Sequence, residues 1–560
     1  MHRQSAVRVA VVTGALVGSL VMSPAASAGK DPAPPDTLTK AAYVMTNGNT
    51  GTIDLRAPGS AAVIPTGGAK NKVVVSLGDS YISGEAGRWA GNSEKKSWSE
   101  STDKLGATAY GDNGGAESLP WCHRSKSAEI NFGEGVTSVN LACSGAETKT
   151  DASQTPFKPG IDFSNTFVGG GATAMGQALL LQNLAKSNPN RISMVVLSIG
   201  GNNFKFGTIV AECVQDYVDP RRLRRSCKDD KELQALVDSD AAKKHQAEIA
   251  TAIGNVFTAM RAARYSEEQW TLLVQTYPSP VADSKTIRYG QTYARQFRGG
   301  CGFWNNDLDW ANNTVLPTVN RAVVDAVDDV RQSHPNIRLL DLTDALKGHR
   351  LCETGTTIVG KIAGAVVGWY WSPVRSYDQK NAAAMSEWVA QIRAVETSAP
   401  YAQQESLHPN YWGQKAYQSC LRAAYTDGKV RTGSCLFAGL DDSGNPKMRL
   451  EPAIGWHEGL EVPTVGRSGP GSPRPVARLR TQAKRSMVVV RWNAAKSAPS
   501  ARAYYLRVRR LGKTWGPWLD AGVATTVRVP LRYHGRYRVQ VVAQNEHGTS
   551  ALRADRFRLK

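Results

Sequence analysis

Short apolar runs alternate with amphipathic helical patterns through the middle of this chain. Each run has the length of a strand that is buried on both faces, and together the runs cover residues 73–77, 136–142, 194–199, 271–274 and 337–342. Between them, apolar residues recur at helical spacing at 249–260 and 316–330. Strands that alternate with helices predict an α/β fold, in which helices cover both faces of an open parallel sheet. Ligands of such a sheet bind beyond the carboxyl ends of its strands.

The N-terminus has the pattern of a secretory signal. Arg3 and Arg8 accompany an apolar run at 9–22, and the small residues 26–28 offer a cleavage site. A membrane anchor is the alternative, but the apolar run is short for a membrane span. We therefore expect residues 1–28 to be removed and the mature protein to be secreted and extracellular.

The cysteines predict four disulfides, because an exported chain meets an oxidising compartment. The sequence alone leaves their connectivity open, and nearest-neighbour pairing is only the simplest arrangement. Neither a Cys-x-x-Cys motif nor a histidine pair at ligand spacing occurs, so we expect no metal and no cofactor. The cysteines are Cys122, Cys143, Cys213, Cys227, Cys301, Cys352, Cys420 and Cys435.

The formal charge of +20 is concentrated at the C-terminus. Residues 467–560 hold 21 Lys or Arg, of which 17 are Arg, against three acidic residues, a net charge of +18. Arg3 and Arg8 carry the remaining +2, which leaves 29–466 neutral and marks a domain boundary. Outside a cell, this charge favours an anionic cell wall, polysaccharide or lipid as partner ahead of nucleic acid. Alternatively, the arginines only solvate a surface.

The basic segment has the alternating pattern of a small all-β sandwich. Tyr537, six residues after Leu531, and Trp492 resemble the tyrosine corner and core tryptophan of a fibronectin type III domain, over residues 474–560. The alternating runs are 487–492, 503–509, 525–530 and 537–545.

Three loops at predicted strand ends carry polar residues and glycines. They are Gly78-Asp79-Ser80-Tyr81, Cys143-Ser144-Gly145 and Gly200-Gly201-Asn202-Asn203. Parallel strands bring these loops to one edge of the sheet. A serine at a strand-to-helix turn can act as a nucleophile, and a glycine amide and an asparagine side chain can hold an oxyanion.

His408 supplies the base that such a serine needs. Glu405, three residues upstream, can hold the imidazole tautomer as the acid of a catalytic triad. Singly, each of these motifs also fits a helix cap, a tight turn or a solvated loop. Together, at successive strand ends, they predict catalysis.

With these motifs, residues 72–426 resemble the SGNH, or GDSL, hydrolases, in particular secreted actinobacterial serine esterases and lipases with three disulfides. The resemblance implies a flavodoxin-like parallel sheet sandwiched by helices. It implies that Ser80 is the nucleophile and His408 the general base. It also implies an oxyanion hole made by the backbone amides of Ser80 and Gly145 and by the Asn202 side chain.

Two positions depart from the family pattern. The family usually has Asp at the positions of Asn203 and Glu405. We expect Asn203 to change only supporting hydrogen bonds. Glu405 is one methylene longer than Asp, so that either Glu405 or a backbone carbonyl orients His408.

The resemblance also implies a disulfide pairing, in which the bond at Cys143 would brace the loop of Gly145. We interpret His123 as structural. The stretch 356–371 is interpreted as a buried helix or hairpin, with the lining of an acyl-binding cleft as the alternative. The implied pairs are Cys122–Cys143, Cys213–Cys227 and Cys301–Cys352, which leaves Cys420–Cys435.

The expected function is that of a secreted carboxylic ester hydrolase, a lipase or esterase that forms an acyl-serine intermediate on an acyl ester substrate. A carbohydrate esterase that deacetylates a polysaccharide would use the same site. From another class, a non-catalytic cell-surface or polymer binding protein is the alternative. The expected organisation is a signal peptide at 1–28, an N-terminal extension at 29–71, a hydrolase domain at 72–436, a linker at 437–473 and a fibronectin type III-like domain at 474–560.

Overall fold

The expected signal peptide lies outside the residues for which we have a structure, as does most of the extension at 29–71. The computed structural model describes residues 40–44, 50–54, 72–94, 102–451 and 473–559, with short internal gaps of which 394–402 and 494–502 are the longest.

Helices and strands are interspersed as far as α10, and the elements described after it are strands. No helix in the described ranges is long and apolar enough to cross a membrane. The helices are α1 Ser80–Ser83, α2 Gln177–Ser187, α3 Phe206–Val218, α4 Lys231–Ala235, α5 Ser239–Ala262, α6 Tyr293–Phe297, α7 Asn305–Trp310, α8 Leu316–Arg331, α9 Ala382–Met385 and α10 Tyr411–Ala424, with a π-helical turn at Ala311–Val315 and single 3₁₀ turns at Gly106–Thr108, Cys227–Asp229, Glu267–Gln269 and Gln403–Glu405. The strands are β1 Lys40–Val44, β2 Thr50–Asp54, β3 Lys72–Gly78, β4 Val136–Asn140, β5 Asn165–Gly169, β6 Ala172–Met175, β7 Ile192–Ser198, β8 Thr271–Gln275, β9 Ile337–Asp341, β10 Lys361–Gly364, β11 Gly368–Trp371, β12 Tyr425–Thr426, β13 Lys429–Val430, β14 Gly433–Leu440, β15 Pro446–Glu451, β16 Ala477–Lys484, β17 Met487–Asn493, β18 Ala503–Arg510, β19 Leu519–Gly522, β20 Thr526–Pro530, β21 Gly535–Asn545, β22 Gly548–Thr549 and β23 Arg553–Leu559.

A mainly parallel sheet forms the centre of the α/β part. Its strand order is β15-β14-β9-β8-β7-β3-β4-β1-β2, and the neighbours from β4 to β14 are parallel. The five strands that the sequence predicts, β3, β4, β7, β8 and β9, lie in the order 2-1-3-4-5, which is the flavodoxin-like arrangement. The α/β prediction is confirmed.

The central strands are apolar because helices cover both faces of the sheet. All residues of β7 and all but the first of β3 are buried. The two predicted apolar stripes lie on α5 and α8, which pack against each other. α5 begins after Asp238, whose carboxylate accepts hydrogen bonds from the amides of Asp240 and Ala241.

The sheet extends further at both edges than the sequence predicts. β1, which belongs to the expected extension, pairs with β2 and with β4. The prediction of a linker at 437–473 is wrong for its first part, because β14 and β15 continue the sheet to Glu451. Their register shifts between Phe437 and Leu440. Such an irregularity interrupts the alternation by which a strand is recognised in a sequence.

The C-terminal strands form two antiparallel sheets, which confirms the predicted sandwich. One has the order β16-β17-β20, and the other has the order β19-β18-β21-β22 with β23 paired to β21. Trp492 belongs to the core shared by both sheets, and its ring centroid lies 5.6 Å from that of Tyr504. The Tyr537 hydroxyl donates to the carbonyl of Tyr533 at 2.5 Å, the bond of a tyrosine corner.

The segment 356–371 contains an exposed hairpin. β10 and β11 pair with each other, while Trp369, Tyr370 and Trp371 are 41%, 50% and 52% exposed. Neighbouring side chains of a strand point to opposite faces, so that both faces of β11 are accessible here. The interpretation of this segment as buried is wrong for these three residues.

Four disulfides pair the cysteines in sequential order, as the family resemblance implied. Cys122–Cys143 connects two loops near the carboxyl edge of the sheet, and Cys420–Cys435 connects α10 to β14. The four pairs are Cys122–Cys143, Cys213–Cys227, Cys301–Cys352 and Cys420–Cys435.

Truncation distinguishes the observed edge of the sheet from the predicted linker. A chain that ends at residue 451 should unfold at the same temperature as the α/β part of the full-length protein. A chain that ends at 436 lacks β15 and half of β14, and the loss of buried Met448 alone should remove about 2–5 kcal/mol of unfolding free energy. Differential scanning calorimetry measures both, and equal unfolding temperatures would contradict the assignment of β15 to the sheet.

Candidate active site

The turn from β3 into α1 presents Ser80 at the carboxyl edge of the sheet. Gly78 has a φ of +135°, and a Cβ at this position would lie 2.0 Å from the carbonyl oxygen of Ser198 on β7, so only glycine fits. Asp79 then caps α1, because its carboxylate accepts a hydrogen bond from the Tyr81 amide at 3.1 Å. Ser80 is the first residue of α1 and is 6% exposed.

His408 lies directly against Ser80. Its Nε2 is 2.7 Å from Ser80 Oγ, and its Nδ1 is 3.0 Å from the carbonyl oxygen of Ser406. A carbonyl only accepts hydrogen bonds, so Nδ1 carries the proton and Nε2 accepts from the serine hydroxyl. This is the tautomer that a general base for serine requires.

The Glu405 carboxylate bonds to residues other than His408, although the Glu405 carbonyl accepts a hydrogen bond from the His408 amide at 3.2 Å. One of its carboxylate oxygens accepts a hydrogen bond from the Trp89 indole at 2.8 Å, and the other accepts one from the Tyr110 hydroxyl. The chain turns sharply between the two residues, because Leu407 has a φ of +61°. The predicted acid of a triad is therefore not in position, and a backbone carbonyl orients the imidazole, which was the second of the two expected arrangements.

The loop of Gly145 is fixed beside the turn that carries Ser80. The Cys143 amide donates to the carbonyl of Gly78 at 3.0 Å, and the Ser144 amide donates to the carbonyl of Cys122 at 3.1 Å. Gly145 follows with a φ of +80°. Two hydrogen bonds and the Cys122–Cys143 disulfide thus hold the loop that was predicted to supply an oxyanion donor.

Asn202 and Asn203 face different partners. Asn202 Nδ2 donates to the carbonyl of Ala146 at 2.9 Å, which uses one of its two amide hydrogens. Asn203 Nδ2 donates to Thr148 Oγ1 at 2.8 Å and to Glu248 Oε2 at 3.0 Å. Asn202 therefore links the second and third predicted loops, while Asn203 makes supporting hydrogen bonds.

Two buried side chains outside the predicted set hold these loops together. Gln177 accepts a hydrogen bond from the Gly78 amide at 2.7 Å and donates one to the Gly78 carbonyl at 2.9 Å. The Tyr277 hydroxyl accepts one from the Gly201 amide at 2.9 Å and donates one to the Asp79 carboxylate. No local motif marks either residue, because their partners are brought near them only by the fold.

Glu85 and His123 form a buried pair beside the site. Nδ1 of His123 bonds to Oε1 of Glu85, which is fully buried. Burial acts to raise the pKa of Glu85, but the charge and hydrogen bond of His123 outweigh it and lower this pKa. Burial acts to lower the pKa of His123, but Glu85 outweighs it and raises this pKa. The pair is therefore ionised at neutral pH.

The site presents a hydroxyl, an imidazole and several N–H donors. Burial lowers the pKa of His408, while the charge of Glu85 acts in the opposite direction. A pKa below the ordinary 6.5 leaves the imidazole neutral, and able to accept a proton, at neutral pH. Within the described ranges, no three His, Cys, Asp or Glu side chains are grouped as metal ligands.

No protein-family model and no curated protein matches the chain. Among solved structures, it is similar to an extracellular lipase from Streptomyces rimosus at 16% identity and a TM-score of 0.31, covering 63% of this chain and all of that one. It is also similar to the fibronectin type III domain of human fibronectin type III domain containing protein 3, at 25% identity and a TM-score of 0.15, covering 17% of this chain and 92% of that one.

The lowered pKa of His408 predicts how the reactivity of Ser80 depends on pH. A fluorophosphonate probe should label Ser80 at a rate that rises with pH and levels off, with a midpoint below 6.5, because only the neutral imidazole activates the hydroxyl. The rate is measured from labelled protein at fixed times.

Two variants control this measurement. Ser80→Ala should not be labelled. Asp79→Asn should keep the midpoint, because Asp79 faces Tyr81 and Tyr277 rather than His408. A labelling rate of the unaltered protein that does not change with pH would contradict the assignment of His408 as base.

Proposed function

We propose that the chain is a secreted serine carboxylic ester hydrolase, a lipase or esterase of the SGNH or GDSL type. One observation carries the proposal: Ser80 Oγ donates to His408 Nε2 across 2.7 Å, while the opposite ring nitrogen is held by a carbonyl. A hydroxyl that is 6% exposed and is paired to an oriented imidazole has the arrangement of an activated nucleophile.

Acylation begins when Ser80 Oγ attacks the carbonyl carbon of the ester and His408 Nε2 takes the hydroxyl proton. A tetrahedral oxyanion forms, for which the amides of Ser80 and Gly145 and the free N–H of Asn202 are the proposed donors. Collapse of this intermediate breaks the bond to the alcohol oxygen. His408 returns its proton to that oxygen, and an acyl-serine remains.

Deacylation repeats these steps with water as the nucleophile. His408 takes a proton from water, the hydroxide attacks the acyl-serine, and the second oxyanion occupies the same donors. Collapse releases the carboxylic acid and restores the Ser80 hydroxyl with the proton from His408. In both halves, the Ser406 carbonyl keeps the Nδ1 proton in place.

The proposed organisation follows the sheets. Residues 72–451 would form the hydrolase domain, with the hairpin of β1 and β2 at its edge, and 474–560 a fibronectin type III-like domain. Four disulfides suit an extracellular protein, in keeping with the proposed signal at 1–28. We also propose that the basic C-terminal region attaches the enzyme to an anionic surface.

Two further functions use the same residues. A carbohydrate esterase would hydrolyse acetyl esters of a polysaccharide by the same steps, and a panel of lipid esters and acetylated glycans separates the two kinds of substrate. A binding protein that keeps the scaffold without activity would not react with a fluorophosphonate. Failure of the folded protein to label would therefore overturn the enzyme proposal.

Substitutions should rank the residues of the site by role. Ser80→Ala and His408→Ala should each lower kcat on a soluble ester by about 10⁴-fold or more, and Asn202→Ala by about 10²-fold. Glu405→Gln should lower kcat far less than His408→Ala, because the Glu405 carboxylate is hydrogen-bonded to Trp89 and Tyr110 rather than to His408.

Ser187→Ala is the matched control, since this serine lies at the end of α2 and its hydroxyl donates to the Asn183 carbonyl rather than to a histidine. It should retain the kcat of the unaltered protein. If Ser80→Ala hydrolyses the ester as fast as Ser187→Ala, Ser80 is not the nucleophile.

A further inference from the structure

Arginines face each other across three neighbouring strands of the sandwich. Arg538 on β21 lies opposite Arg509 on β18 and opposite Arg556 on β23. One step along, Arg536 lies opposite Arg558. Residues in register on paired strands share a face of the sheet. The three strands therefore carry rows of arginine on one face, which we name the arginine face.

The arginine face is the outer face of its sheet. The alternate residues of β21, among them Val539 and Val541, belong to the core, which turns Arg536 and Arg538 outward. Arg536, Arg556 and Arg558 are exposed. Their charged groups are therefore open to a partner.

Like charges directly opposite each other destabilise a pair of strands. Repulsion also acts along β18, because burial and then the charge of Arg509 lower the pKa of Arg507, two residues away on the same strand. Composition alone would scatter arginines over the surface, but here the register aligns them. A bound anion would offset the repulsion within such a row, which gives a reason for a row that lowers stability to be present.

We propose that the arginine face binds an extended anionic polysaccharide. Strands lie about 4.8 Å apart, so the arginine side chains of a row across β18, β21 and β23 leave the backbone at steps of that length. Guanidinium groups pair with carboxylate or phosphate through two parallel hydrogen bonds. A glycan with repeated acidic groups fits this spacing, and an exported protein meets such polymers outside the cell.

Binding of the full-length protein to immobilised polygalacturonate tests the proposal. Arg538→Gln/Arg556→Gln should weaken binding about tenfold or more, as the loss of two charge-assisted pairs implies. The same variant should unfold at a higher temperature, because repulsion is relieved. The matched control, Arg480→Gln/Arg491→Gln, removes a facing pair from the other sheet and should change binding less than threefold.

Equal losses in both variants would mean that net charge alone governs binding, which overturns the proposal, as would undiminished binding by Arg538→Gln/Arg556→Gln. If that variant does not fold, the single exposed substitution Arg556→Gln decides in the same way. Tighter binding to duplex DNA or to anionic phosphatidylglycerol vesicles than to polygalacturonate, at equal salt, would overturn the choice of partner. None of these results depends on ester hydrolysis.

A second observation concerns Glu85, five residues after Ser80. Its amide donates to the Ser80 carbonyl at 3.2 Å, and its side chain is fully buried. Gln404 Nε2 donates to Glu85 Oε2 at 3.0 Å and to Ser144 Oγ at 2.7 Å. With His123 on the other oxygen, Glu85 is bonded to partners from other segments of the site.

These partners come from the loops that carry the site. Ser144 precedes Gly145, Gln404 lies four residues before His408, and His123 follows Cys122 of the Cys122–Cys143 disulfide. A buried carboxylate is costly unless it is paired and hydrogen-bonded. Moving any one of the three loops away would therefore remove a partner that the buried carboxylate needs, so Glu85 favours the arrangement in which all three loops are in place.

Other charged groups also face this cluster. His123 Nε2 is 3.4 Å from Glu117, and the ring of Tyr110 stacks on His123 at 4.4 Å. Lys158 Nζ donates to the Trp121 carbonyl at 2.9 Å. Glu405 is engaged by Trp89 and Tyr110. Glu85 is the carboxylate of this set whose charge opposes the effect of burial on His408.

We propose that Glu85 is a positioning residue of the active site, which holds the loops of Gly145 and His408 on the nucleophile helix and supplies the negative charge beside the base that Glu405 does not. This inference rests on the proposed function for its kinetic consequences. Its electrostatic consequence is independent of that function.

Glu85→Gln keeps the shape of the side chain and removes the charge. On a soluble ester, kcat should fall by about 10- to 100-fold with KM within about threefold, because loop placement serves the transition state. Loss of the negative charge should also shift the midpoint of the His408 titration, followed by NMR, to lower pH. A purely structural role would not move that midpoint in this direction.

Glu353→Gln is the matched control, since Glu353 is also buried and its carboxylate bonds to Arg350 and to the Gly348 amide rather than to these loops; it should change neither quantity. Unchanged kcat and an unchanged midpoint in Glu85→Gln would overturn the proposal. If that variant does not fold, Gln404→Ala should lower kcat, and a full kcat would overturn it instead. If the unaltered protein hydrolyses no ester, the proposed function fails, while the NMR titration still decides the role of Glu85.

Discussion

The close approach of β3 to β7 at Gly78 is the constraint on which the site depends. Its α-carbon lies against the Ser198 carbonyl and leaves no room for a side chain. Its own carbonyl accepts from both Gln177 and the Cys143 amide. Three segments therefore meet at one residue, and Ser80 leaves this point two residues later in a fixed direction.

The strands of the α/β part could be predicted because burial on both faces forces continuous apolar runs, as in β3 and β7. Strands at the edge of a sheet are less fully buried, so their sequences need not be continuous apolar runs. The pairing of β14 with β15 has a register irregularity, so the alternation of apolar and polar residues is broken and the two strands cannot be distinguished from a linker in the sequence. The sandwich strands β17, β18, β20 and β21 were predictable from their alternation. β16 and β23 were not, because three of eight and four of seven of their residues are charged.

In the site too, residues marked by local motifs could be predicted, whereas contacts between segments distant in sequence could not. Ser80, Gly145 and Asn202 could be placed from strand ends, because the topology of a parallel sheet gathers those loops at one edge, and His408 from its position before the last predicted helix. The direction of the Glu405 side chain could not, since it depends on one left-handed residue, Leu407. The roles of Glu85, Gln177 and Tyr277 could not be predicted from the sequence, because their hydrogen-bond partners are distant along the chain.

Two buried carboxylates near His408 have opposite electrostatic character. Burial and the charge of Glu85 raise the pKa of Glu405, whereas His123 holds the pKa of Glu85 low. Their environments thus give them different charges: Glu85 stays ionised, whereas Glu405 is biased toward its neutral form. A count of acidic residues near the base would have missed this difference.

Ser80 and His408 are 328 positions apart, and four of the five central parallel strands, β4, β7, β8 and β9, are built from residues between them. A chain that is still being synthesised, or is unfolded for passage through a translocation pore, carries the serine without its base. The hydroxyl therefore gains its partner only after the sheet has formed. Through this separation, the proposed hydrolysis would have to wait until the sheet has formed.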